Sequence, residues 1–328
     1  MTAYLVRRIL QAIPTIIGVT LISFILMHAA PGDPVQILFF SPGIEPEELE
    51  RKRTELCLDR PLWFQYTIWV VGDWSGECPQ RGLIRGDFGT SFTTKQPVLE
   101  SYLQLIPGTV QLTLYALIIG GLFGLFLGII SAINRGGAID NISRLFSVVF
   151  DALPSFWFGI LLIMVFSVRL GWLPAGGRVP LNVDDPTIWD YTRHLIMPSV
   201  VLGVGWIALM SRFMRAETLE VMNQDYIRTA HAKGLKRRTV YFRHAARNAL
   251  IPIVTILGPA ITSLLSGAVV VERIFSWPGI GRFLVDAVSR RDFPIVMASA
   301  VIGAVLVIIG NLLSDVLLVL VDPRVRLS

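Results

Sequence analysis

The 328-residue chain contains no G-x-x-x-x-G-K-[ST] segment, so it lacks the phosphate-cradling loop with which an ATPase would power its own work. It has two cysteines, Cys57 and Cys78, and four scattered histidines, His28, His194, His231 and His244, without CxxC or HxxxH spacing. That pattern suggests no metal site. Charge is scarce, since Asp, Glu, Lys and Arg make up 16% of the chain against about a quarter in soluble domains. No apolar run carries a nucleophile beside a base or a pair of metal ligands, as an intramembrane enzyme requires.

Apolar length is abundant. The apolar share is 53% and the mean hydropathy +0.62, which places the chain among integral membrane proteins. Crossing about 30 Å of hydrocarbon as helix takes roughly 20 apolar residues. Six runs reach that length, near Ile9 to Ala30, Thr109 to Ile133, Leu145 to Val168, Leu195 to Phe213, Ile251 to Val271 and Val296 to Val321. The expected fold is an all-α integral membrane protein of six transmembrane helices. The first run follows Arg7 and Arg8 and ends at Ala29-Ala30, in the order of a cleaved signal, but its 22 or so residues exceed the roughly 7 to 15 of a signal's apolar stretch. It reads as an anchor.

Orientation follows from the basic residues beside short loops. With the N-terminus inside, the cytoplasmic segments hold fifteen: Arg7, Arg8, Arg135, Arg144, nine between Arg212 and Arg247, Arg324 and Arg326. The two short outer loops hold seven: Arg169, Arg178, Arg193, Arg273, Arg282, Arg290 and Arg291. Both termini are therefore expected in the cytoplasm. The net charge of +5 is then topological, and no nucleic-acid partner is expected.

Residues 1–105 read as the first span plus an extracytoplasmic lid or scaffold, and 106–328 as a five-helix core. Within the outer segment, Glu45 to Leu56 has helix-forming composition with Glu47/Arg51 and Glu48/Lys52 at i,i+4. Pro61 to Val71 carries Trp63, Phe64, Tyr66 and Trp69, read as an interfacial aromatic belt in preference to a ligand-stacking surface. Cys57 and Cys78 both fall in this exported segment, where an even pair is a candidate disulfide; the alternative is two free thiols.

The most distinctive stretch is Asp225 to Pro252, basic and set between two spans, inside a cytoplasmic loop of about 212–250. Tyr226 to Lys233 suits two helical turns in which Thr229, Ala230 and Ala232 offer little bulk, and Gly234 supplies a left-handed stop. Lys236 to Arg247 continues as a basic helix, and Pro252 is taken to open the fifth span. This reads as a docking surface; the bland reading is a loop that only fixes topology.

DY-x-RTA-x-AKGL followed by RHAxRNALIP resembles the EAA loop of ABC importer permeases, in the form of the dipeptide, oligopeptide and nickel subfamily. Arg228, Thr229 and Ala230 stand at the EAA positions, Lys233 follows, and Gly234 is the motif glycine. Arg for Glu at the first position and the longer gap to Pro252 depart from the general pattern. Further resemblances lie at His28 to Pro34, Gly86 to Ser91, Phe275 to Gly281 and Asp322 to Arg324, so the likeness covers nearly the whole chain; Asp73 to Ile84 departs from it like an insertion. The resemblance implies a type I ABC importer permease fold in the bacterial inner membrane, a second homologous permease, two cytoplasmic ATPase subunits and an extracytoplasmic solute-binding protein. It implies no catalytic residue and no cofactor in this chain, ATP and Mg being held by the partners. Solutes carried by such systems include peptides, nickel chelates, glutathione and sugars.

A mid-span Asp costs about 2.5 to 3.5 kcal/mol on insertion scales, so Asp151 and Asp315 are expected to face protein or water. Asn311 and Asp315 share a helix face. These polar residues are read as ties between helices in preference to path-lining groups. Gly120, Gly124 and Gly128 recur every fourth residue, a pattern for close helix packing. A secondary transporter would show repeated broken helices, of which there is no clear sign, and a channel would need a filter-like segment.

Overall fold

The computed structural model describes residues 2–29, 46–78, 80–180 and 183–321. Among them the structure is helical, with one isolated antiparallel bridge between Thr90 and Pro97. The chain divides into two compact units, residues 1–107 with 282–308, and residues 108–281 with 309–328.

Helix α1 spans Thr2–Ala29, α2 Pro46–Glu55 and α3 Leu62–Val71. Then come α4, Val98–Ile133, and α5, Ala138–Ala152. Ser155–Leu162 forms α6 and continues as π-helix through Ile163–Arg169. The long α7, Ile188–Met222, leads to the short α8, Asp225–Ala232, and then to α9, Ala246–Ile274. Last are α10, Ile280–Arg290, and α11, Phe293–Val321. By length and composition α1, α4, α7 and α11 can each cross a membrane, and the α5–α6 pair can do so as one broken span.

That broken pair corrects the expected straight helix over Leu145 to Val168. The axis turns by 99° between α5 and α6. Pro154 is the cause: it has no N–H to continue the ladder, and it forces the residue before it out of the helical region. Leu153 accordingly sits at φ −76°, ψ 123°. The expected helix start at Pro252 is also corrected. Helix begins at Arg237, runs through a π segment at Val240–Ala245 and enters α9 at Ala246, so Pro252 lies inside the helix.

In the first unit, Cys57 and Cys78 are bonded, with Cα atoms 6.0 Å apart, and pack with Ile68 and Phe64. The α1 and α3 helices are tied by Thr20 Oγ1 with Tyr66 OH at 3.0 Å and His28 Nε2 with Gln65 Oε1 at 3.3 Å. Asp292 is fully buried. Its carboxylate accepts from Ser91 Oγ at 2.7 Å and from the backbone N–H groups of Thr93 and Phe92 at 2.9 and 3.2 Å, so the buried charge is satisfied.

In the second unit, α7 opens with a capping box, Thr187 and Asp190 each taking the other's backbone N–H. Its Trp206, Met210 and Met214 lie along the glycine stripe of α4. A Cβ on Gly124 would stand 2.7 Å from that of Met210, one on Gly128 2.7 Å from that of Met214, and Gly120 meets Trp206 more closely still. Hydrogen at those positions is what lets the two backbones approach. Ala246, Ala249 and Ile253 of α9 complete this cluster.

Candidate coupling site

The basic loop folds on its own small core. Ile227 and Ala230 are three residues apart and so share a face of α8. Both are buried, against Val240 and Ala245. Ala230 therefore packs within the chain and is not part of a bare small-residue face, which corrects the expectation drawn from its size alone. The opposite face carries Asp225, Arg228, Thr229 and Ala232, all exposed, and Tyr226 and Lys233 are exposed along its flank.

The helix end is specified residue by residue. Gly234 sits at φ +74°, a conformation that side-chain-bearing residues adopt at a cost. Its N–H donates to His231 O at 2.9 Å and that of Leu235 to Ala230 O at 3.3 Å, the paired bonds of a Schellman cap. Gly234 itself has open space where a Cβ would stand, so backbone conformation, not crowding, calls for glycine. At the other end Thr229 Oγ1 donates to Asp225 O at 3.0 Å and Arg228 Nη1 lies 3.3 Å from Asp225 Oδ1. Asn248 Nδ2 donates to Tyr226 OH at 3.1 Å, and His231 meets Tyr241 edge to face at 6.0 Å. The loop is thus joined to the segment that becomes α9. Within that segment the π turn Val240–Ala245 shifts the register of Arg243 and His244, which an α-helical pattern does not reveal.

The remaining polar residues are dispersed. Asp151, at the end of α5, pairs with Arg212 of α7 at 3.0 Å, both partly exposed. Asn311 and Asp315 are half-buried on α11, whose neighbour Ser314 donates to Val254 O at 3.2 Å. Among the described residues no group of three or more His, Cys, Asp or Glu side chains is placed to hold a metal.

Three buried acids were not singled out from sequence: Asp292, described above, Asp140 and Glu272. Asp140 is held by Arg215 of α7. Glu272 is fully buried near the end of α9 and accepts from Thr109 Oγ1 at 2.7 Å. Thr109 in turn receives the N–H of Ile280 at 2.9 Å, while the Trp277 indole donates to Gly108 O at 3.0 Å. Gly279 lies so close to the Glu272 carboxylate that a Cβ would collide with it. The available signal was an acid bordering an apolar run, VVVE, beside a Pro-Gly turn.

Residues 124–327 match the family of binding-protein-dependent transport system inner membrane components, and residues 1–113 match the corresponding N-terminal region. The chain belongs to this family. The oligopeptide transport system permease protein AppB of Bacillus subtilis (strain 168) is 43% identical over 327 residues, covering 99% of this chain and 100% of the relative. The di/tripeptide transport system permease protein DppB of Pseudomonas aeruginosa (strain UCBPP-PA14) is 41% identical over 343 residues, with 99% of each covered. The dipeptide transport system permease protein DppB of Escherichia coli (strain K12) is 38% identical over 346 residues, again with 99% of each covered. Among solved structures, an inward-facing form of the MetNI methionine ABC transporter aligns with a TM-score of 0.54 at 16% identity, over 68% of this chain and 97% of that one, which supports the fold.

Proposed function

We propose that this chain is the permease subunit of an ATP-driven importer for di- or oligopeptides and that α8 is its coupling helix. The observation that carries the reading is the construction of α8: one face is fixed by Ile227 and Ala230, the end is stopped at Gly234, and Arg228, Thr229 and Lys233 are left exposed. A short helix held this way transmits a push from a partner into the helices on either side of it, α7 and α9, because it cannot shift without them.

Peptide as the solute is supported by full-length relatives named for oligopeptide, di/tripeptide and dipeptide transport. The six spans would be α1, α4, the broken α5–α6 pair, α7, α9 and α11, with both termini in the cytoplasm, as the placement of Lys and Arg favours. A second permease subunit, two ATPase subunits and a solute-binding protein complete the machine; this chain contributes a path and a lever.

Reconstitution with those partners tests the reading. ATP hydrolysis should rise with a peptide-loaded binding protein, and labelled peptide should accumulate only with ATP. Accumulation without nucleotide would point to a secondary transporter or a channel. Stimulation by a nickel chelate, glutathione or a sugar, with none by peptide, would reassign the solute.

A further inference from the structure

Helix α3 is apolar along most of its length, LWFQYTIWVV, and its one amide side chain faces inward. Gln65 and Ile68 are buried, and Gln65 Nε2 donates to the carbonyls of Arg60 at 2.7 Å and Leu58 at 3.2 Å. Leu62, Trp63 and Val71 are exposed. Thr67, exposed between Trp63 and Val71 on one face, keeps its hydroxyl within the helix by donating to Phe64 O at 2.9 Å. A helix lying on a water-facing surface buries its apolar stripe and exposes its polar one; α3 does the reverse. Of the four aromatic residues read as an interfacial belt, Trp63 alone is exposed.

The ties to α1 set the depth of α3. Leu10–Ala29 is the apolar stretch of α1, and Thr20 stands near its middle, about 14 Å before Ala29 along the axis. Tyr66 OH meets Thr20 Oγ1 at 3.0 Å, the Tyr66 ring meets that of Phe24 edge to face at 5.4 Å, and Gln65 Oε1 lies 3.3 Å from His28 Nε2. Helix α3 is thus fastened beside the last turns of the span, with Phe24 about 8 Å from the span's end, at the level of Ile22, Ile25 and Leu26, which α1 exposes. It does not cross. Ten residues make about 15 Å of helix against about 30 Å of hydrocarbon. The Cys57–Cys78 bridge joins the chain before α3 to the chain after it, and Arg60 pairs with Glu77 across the same two segments at 3.2 Å, so both ends return to one side.

We propose that α3 is immersed in one leaflet of the membrane, its Leu62–Trp63–Val71 face seated on lipid acyl chains. The leaflet is the one at the C-terminal end of α1, which is the outer one on the topology proposed above, and the proposal rests on the reading of α1 as a span. Helices embedded in this way sink about 5 to 10 Å below the headgroups, which is the depth that Phe24 and Tyr66 impose. Trp74, exposed after the helix with the Arg85 guanidinium 4.6 Å over its ring, then marks the headgroup level, where an aromatic ring and a cation are both at home. A soluble protein working from the water does not reach as deep as Phe24.

The test uses the complete complex in lipid nanodiscs, assembled with cysteine-free partners and spin-labelled at single introduced cysteines; Cys57 and Cys78 are bonded to each other and take no label. Labels at Leu62→Cys and Trp63→Cys should collide more often with oxygen than with a water-soluble nickel chelate, and should report a depth of about 5 to 10 Å below the lipid phosphates. Ile22→Cys, exposed on α1, supplies the lipid reference, and Glu47→Cys, exposed on α2, the water reference. In the unsubstituted complex, a phospholipid with a diazirine in its acyl chain should leave adducts on Leu62–Val71 when irradiated, which guards against a local change in the cysteine variants. Nickel collisions at positions 62 and 63 as frequent as at position 47 would place α3 in water, and labels shielded from both reagents would place a protein against it. Either result, or the absence of lipid adducts on α3, would overturn the proposal while Ile22→Cys still reports lipid. Ile22→Cys reporting water would overturn the reading of α1 as a span together with it.

Discussion

Arg215 holds Asp140 with both arms of its guanidinium, Nε to Oδ1 at 2.6 Å and Nη2 to Oδ2 at 2.8 Å. Asp140 is only 1% exposed and also accepts from Ser131 Oγ at 2.6 Å and from the Gly136 N–H at 2.9 Å. Four donors on one carboxylate bind the end of α4, the turn after it, α5 and α7 at a single point. Arg215 lies ten residues before the start of α8, so this point fixes the stem from which α8 projects.

Breaking a fully buried pair costs about 3 to 5 kcal/mol; Asp140→Ala leaves Arg215, whose side chain is 24% exposed, without its partner, so water offsets part of that cost. Asp140→Ala should therefore lower the thermal midpoint of the detergent-purified permease markedly. Asp140→Ala combined with Arg215→Met should recover much of the loss, because both charges are then gone. A double variant no more stable than Asp140→Ala would mean that the pair is not the source of the effect.

The glycine stripe allows a matched comparison within α4. Gly124→Ala drives a Cβ into Met210, whereas Gly121 has nothing within 4 Å of its Cβ position. Gly124→Ala should destabilise by about 1 to 3 kcal/mol. Gly121→Ala should be neutral or slightly stabilising, since alanine restricts the unfolded chain. Equal effects in a chemical denaturation series would show that α7 does not approach α4 this closely.

Where one rule of local chemistry decided the outcome, the sequence was readable. Every-fourth glycines announce a close-packed helix face, and Gly234 after a short polar helix announces a left-handed stop. Contacts that depend on distant residues were not readable. Arg215 reaches Asp140 across 75 positions, and no local pattern joins them. The bend at Pro154 was hidden for a different reason: counting apolar residues measures length and ignores a missing N–H. Ala230 shows a third kind of blindness. Small size suits either a partner's groove or a tight internal contact, and only the positions of Val240 and Ala245 distinguish the two.

The disulfide segment should loosen in acid. Asp73 is drawn down from 3.8 to about 2, first by the Cys78 N–H at 2.7 Å and then by the Ser75 hydroxyl, also at 2.7 Å. A depressed carboxylate contributes stability that is present above its unfolded value and lost as pH falls through the folded one. Pepsin cleavage of the loop, normalised to a peptide standard, should rise as pH drops from about 4 to about 2. Asp73→Asn should be cut readily throughout that range. A wild-type loop that resists equally at both ends would show that the Asp73 bonds do not hold it.

The coupling proposal predicts two different failures from neighbouring substitutions. Arg228 is exposed, with 76% of its side chain accessible, so Arg228→Glu changes what a partner meets and within the chain breaks only the exposed pair with Asp225, which contributes little. It should leave membrane abundance and protease resistance unchanged while reducing ATPase association and peptide-stimulated hydrolysis. Ala230→Arg instead forces a long charged side chain into the cluster of Ile227, Val240 and Ala245, and should expose the loop to trypsin before any partner is added. Gly234→Pro removes both the left-handed conformation and the N–H bonded to His231 O, and should resemble Ala230→Arg. Full ATPase coupling in Arg228→Glu, together with a trypsin-resistant loop in Ala230→Arg, would leave this segment no role beyond fixing topology.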